Sequence, residues 1–117
     1  MSDADPDRLV CGYTIARIVA EVEDIIQACK MAKEYREKGE VIFERGAVDL
    51  MEILNFPALD VLINNIKVTC PGAYERGIKY ISEAVERTKK NLEDRDYDRA
   101  IASISDVKYL WVTVRKT

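Results

Sequence analysis

Histidine is absent from all 117 residues. Without it there is no Ser/His/Asp or Cys/His activation of a nucleophile, no imidazole general base, and no Glu-x-x-His ligand pair of the kind that builds a di-iron site in a helical bundle. Glycine and proline are scarce, at five and three, so long irregular stretches are not expected and helices are favoured. Neither G-x-G-x-x-G nor G-x-x-x-x-G-K-[ST] occurs, so no phosphate cradle is visible. No run of about 18 uncharged apolar residues exists, and nothing is expected to span a membrane. The stretch Met1 to Asp7 is acidic and lacks the basic-then-apolar order of a secretion signal, so the expected compartment is the cytoplasm.

Cysteine is also sparse. Cys11, Cys29 and Cys70 are an odd number at unrelated spacings. Cys11 and Cys29 fall on what reads as one helix, about 27 Å apart, whereas a disulfide needs Cα atoms within about 7 Å. Those two cannot pair within a chain, and the expected role of the thiols is that of small buried apolar groups. With no C-x-x-C and no histidine, no metal or cofactor site is expected.

Apolar residues make up 48% of the chain and charged residues 33%, enough for one core. A single helical-bundle domain over residues 1–117 is expected, with residues 1–7 flexible. The net charge of −3 is uneven: residues 1–66 carry 7 basic and 13 acidic side chains, residues 67–117 carry 11 and 8. Acids interrupt the basic side chains throughout the second half, which suits a solvated helical surface better than a nucleic-acid stripe.

Hydrophobic periodicity predicts an all-α antiparallel bundle of about four to five helices, with a long N-terminal helix and a C-terminal helical hairpin. The first helix is expected from Pro6, capped by Asp5, to Gly39, roughly 45 Å in length. Along it Cys11, Ile15, Ile18, Val22, Ile25, Cys29 and Ala32 recur at alternating steps of 4 and 3, a heptad seam that Val19 and Ile26 widen. Gly12 weakens its first turns. A second helix is expected over Glu40 to Asn55, burying Phe43, Ala47, Leu50 and Leu54, with Val48 and Met51 beside them. Phe56-Pro57 is expected to break it, and a short helix from about Ala58 to Val68 follows. Cys70-Pro71-Gly72 reads as a turn. Tyr74, Ile78, Ile81, Val85, Thr88 and Leu92 mark the next helix; Tyr97, Ala100, Ile104, Val107, Trp111 and Val114 mark the last. Asp94 or Asp96 caps the latter, and so short a link turns the pair antiparallel.

The segments Tyr80-Ile81-Ser82-Glu83-Ala84 and Leu92 to Ile101, with an acidic turn, a Tyr anchor and a small Ala, resemble a recurring helical hairpin. It is similar to that of a small archaeal family (domain of unknown function 357) and of HEPN and tetratricopeptide-type proteins. About 25 residues carry the likeness. It implies a tight antiparallel crossing and no activity; the HEPN ribonuclease motif of the Arg-x-His type is missing, since there is no histidine.

The remaining route to catalysis is a pair of carboxylates three residues apart, Glu21 with Asp24 and Glu83 with Glu86, which can share a cation. All-helical nucleotide pyrophosphohydrolases of the MazG kind hold Mg²⁺ in this way, but their leading double Glu and its order are missing here. Tyr74, Tyr97 and Trp111 fall in the apolar seams, whereas Tyr80 and Tyr109 fall off them. The sequence therefore points away from an enzyme and toward a helical association module. Its partner is expected to be itself, or a partner helix, through Ile15, Ile18, Val22 and Ile25, because a helix of that length should overhang its shorter neighbours. The alternative is a small subunit of a nucleic-acid-bound complex, using Lys79, Arg87, Lys90, Arg95, Arg99, Arg115 and Lys116.

Overall fold

The computed structural model describes residues 6–115, and the side chains of residues 10–108. All the elements it describes are helical. The expected flexibility of residues 1–7 falls almost wholly outside the described residues. Helix α1 spans Pro6–Glu37 and runs through Gly12 without interruption. Gly39, at φ 73°, ends it: the Gly39 N–H reaches the Arg36 carbonyl at 3.0 Å and the Glu40 N–H reaches Tyr35 at 2.8 Å. This pair of bonds satisfies carbonyls that the last turn leaves open.

Pro57 does not break the next helix. Helix α2, Val41–Leu50, passes through a π turn, Met51–Asn55, straight into α3, Phe56–Thr69. Proline in an α-helix lacks an N–H and its ring collides with the carbonyl four residues back. The wider turn avoids both problems: the Phe56 N–H bonds to the Met51 carbonyl, five residues back, and Pro57 lands in the first turn of α3. The buried stripe steps by five at the same place, from Met51 to Phe56, then resumes as Leu59, Ile63 and Ile66. The result is one rod over residues 41–69, roughly 43 Å long.

That continuity decides the fate of the α1 seam. The rod runs antiparallel to α1, joining Asn55 to Glu21 at 2.8 Å and Cys70 to Cys11 in a disulfide with Cα atoms 5.3 Å apart. Helix α5, Tyr97–Arg115, covers another side of α1 and itself packs on α4, Pro71–Glu93. Ile15, Ile18, Val22 and Ile25 are therefore 0–7% exposed within a single chain. The expected overhang does not leave them open, because the rod, unbroken at Pro57, lies along them. The expectation of buried thiols holds for Cys29 and fails for Cys11 and Cys70, which are bonded. Their pairing is long-range, across 59 residues, and periodicity along one helix carries no trace of it.

The C-terminal hairpin forms as expected. Ala73, Gly77 and Ala84 of α4 and Ala100 of α5 are buried, and such small residues let the two axes approach closely. At the link, the Arg95 N–H bonds to Leu92 and the Asp96 N–H to Asn91, the same closure that Gly39 makes. Here an arginine at φ 56° occupies the left-handed position. Asp96 caps α5 through the Arg99 N–H at 3.2 Å.

Candidate association face

The rod of α2 and α3 carries apolar residues on two sides, and only one side meets the core. Met51, Phe56, Leu59, Ile63 and Ile66 are buried, with Ala47 and Val48 half-buried. Ile42, Phe43, Leu50, Ile53, Leu54, Val61 and Val68 remain between 56% and 84% exposed. Phe43, Leu50, Leu54, Val61 and Val68 are separated by 7, 4, 7 and 7 residues. The four-residue step falls across the π turn, where a full turn needs nearly five, so the outer apolar band shifts round the rod there, from the Phe43 and Leu50 flank toward Val61 and Val68. The predicted buried face of α2 is thus corrected: of Phe43, Ala47, Leu50 and Leu54, only Ala47 turns inward.

Glu44 sets this rotation. Its side chain is buried, accepting hydrogen bonds from Arg95 Nε at 2.9 Å, from Arg95 Nη2 at 2.6 Å and from the Tyr97 hydroxyl. A fork–fork pair with arginine is a geometry that a carboxylate can occupy in one orientation of its helix. The Arg95 hydrogen bonds hold the Glu44 carboxyl below the usual carboxylate range; burial opposes them and the Tyr97 hydroxyl assists. Burial, with the Glu44 contact second, pushes the Tyr97 hydroxyl up to about 12. Arg36 donates to the Arg95 carbonyl, tying the end of α1 to the same corner. Tyr35 stacks against Phe43 with ring centroids 5.6 Å apart, so the aromatic at the head of the outer stripe is supported from behind.

The basic residues named above do not form a stripe of unpaired cations. Arg95 is held by Glu44, Arg87 lies 3.8 Å from Asp106, and Arg99 lies 3.4 Å from Asp96. Lys79 and Lys90 are exposed on α4, while Lys116 and the Arg115 side chain lie outside the described residues. The carboxylate pairs are likewise engaged singly: Glu21 accepts from Asn55 at 2.8 Å, and Glu86 lies 3.7 Å from Lys89. Among the described residues no three acidic or cysteine side chains gather to hold a metal ion. Tyr80 is exposed, Tyr74 half-buried and Tyr97 buried; the side chains of Tyr109 and Trp111 lie outside the described residues.

None of the functional candidates read from the sequence lies on the outer stripe. A signal for it was present, since Ile42, Phe43, Leu50, Ile53 and Leu54 are more apolar positions than one stripe of a half-buried helix requires.

No family model, curated protein or solved structure matches this chain. No helix among the described residues is long and apolar enough to cross a membrane.

Proposed function

We propose that this protein is a non-enzymatic helical module that works by self-association, through the outer face of α2 and α3 and not through the α1 seam. One observation carries the reading: besides Val41, its first residue, seven large apolar side chains on one continuous rod are more than half exposed. At the roughly 150–200 Å² a fully exposed large apolar side chain presents, they offer roughly 800–900 Å², about one partner's share of a standard interface. The largest apolar patch on an ordinary monomer is smaller, roughly 300–600 Å². Area does not by itself set affinity, but a surface of this size is of the extent that stable interfaces cover. The working compartment is taken to be the cytoplasm, where reducing conditions would open the Cys11–Cys70 bond and leave two adjacent thiols.

Salt separates this function from phosphate binding. Sedimentation velocity is expected to show a dimer of the 13.3 kDa chain that persists from low to high salt, because apolar burial is not screened. A protein working through its basic residues would instead be monomeric, and would bind a polynucleotide with an affinity that collapses as salt rises.

A further inference from the structure

Resting on that reading, we infer that the occupant of the outer face is a second copy laid antiparallel about a two-fold axis near Glu52, with Arg45 of each copy paired to Asp60 of the other. The stripe is nearly palindromic about that residue: Leu50 and Leu54 lie two positions to either side, Phe43 and Val61 nine to either side. A two-fold interface requires this arrangement, since residue i meets j wherever j meets i. Phe43 would then lie over Val61 of the second copy and Leu50 over its Leu54.

Charge selects the same orientation. Arg45 lies seven positions before Glu52 and Asp60 eight after it. The one-residue offset is about 1.5 Å along the helix, well within the reach of an arginine side chain. Both residues are exposed, and neither makes an ion pair among the described residues. Lys89, which shares a shallow surface depression with Asp60, is occupied by Glu86 and the Phe56 ring. A parallel pairing would set Arg45 beside Arg45 and Asp60 beside Asp60, and such like-charge contacts disfavour it. The antiparallel one converts both into opposite-charge pairs; Glu52 meets its own copy in either orientation and does not discriminate between them.

The test is a charge-reversal cycle read as the dimer dissociation constant at low salt, with circular dichroism confirming that each variant is folded. Arg45→Asp and Asp60→Arg are each expected to weaken the dimer roughly tenfold, and the double variant to recover most of the loss. A parallel dimer would respond to neither single change, because each merely exchanges one like pair for another. A wild-type dimer indifferent to all three variants therefore overturns the orientation and leaves self-association standing. A wild type that is monomeric at every concentration overturns both.

Discussion

Glu44 is the residue on which the orientation of α2 turns, and it is one that pattern reading discards. An acid at that position reads as solvated surface, and the local pattern points the apolar face toward Phe43, Ala47, Leu50 and Leu54 instead. Its partners, Arg95 and Tyr97, lie 51 and 53 residues away, and no local periodicity contains them. By contrast Ile18, Val22, Ile25, Ile104 and Val107 were legible as core, because one strongly periodic stripe on a helix leaves a single way to bury it. Glu44→Gln removes the charge from a carboxylate that accepts three hydrogen bonds, and is expected to cost about 1.5–3 kcal/mol in denaturant unfolding. The pH dependence follows from the sign of the shift. A carboxyl with a depressed folded pKa contributes stability that is present above the unfolded value of about 4.3 and lost as pH falls through the folded value. Stability of the wild type should therefore drop on acidification below about pH 4.3 more steeply than that of Glu44→Gln; parallel acid titrations would show the pair to be energetically silent.

At the level of elements, helix number, the Gly39 stop and the C-terminal hairpin follow from composition and period. The α2–α3 junction does not. Proline reads as a breaker in the sequence, but the structure accommodates it with one wide turn that keeps the buried stripe in register. The five-residue step from Met51 to Phe56 was the visible sign of that turn. Deleting Ile53 together with Pro57→Ala restores a four-residue step. The pair of changes should convert the π turn to α-helix with a melting temperature close to that of wild type. Deleting Asn64 instead rotates Ile66 and Cys70 off the seam and should unfold the end of the rod, visible as lost helicity. The disulfide is a second device at this scale. Closing a loop of 59 residues is worth roughly 4 kcal/mol in the chain-entropy account, so reduction or Cys70→Ser should lower the melting temperature markedly. Thiol titration of the oxidised protein should find one group, Cys29. It should react only after unfolding, because burial pushes that thiol up to about 12.

For the whole molecule, dimensions of 58 × 20 × 17 Å describe an elongated bundle in which two of the longest elements, α1 and the rod, lie side by side. The class of architecture was legible in the sequence; the cover that the rod gives the α1 seam was not. An overhang is expected of α1 because a helix of about 45 Å outlasts its shorter neighbours. Because the rod runs unbroken past Pro57, the α1 seam is covered within one chain, and the larger group of exposed apolar side chains lies on the rod's other side. The most direct measurement is molar mass by light scattering over a concentration series, for wild type and for Leu50→Asp combined with Leu54→Asp. Both positions are more than half exposed in the single chain, so the double variant should keep its helicity and thermal transition. Wild type is expected at about twice 13.3 kDa and the double variant at the monomer mass. A double variant that remains dimeric, or a wild type that never exceeds the monomer mass, would contradict the assignment of association to the outer face of α2 and α3.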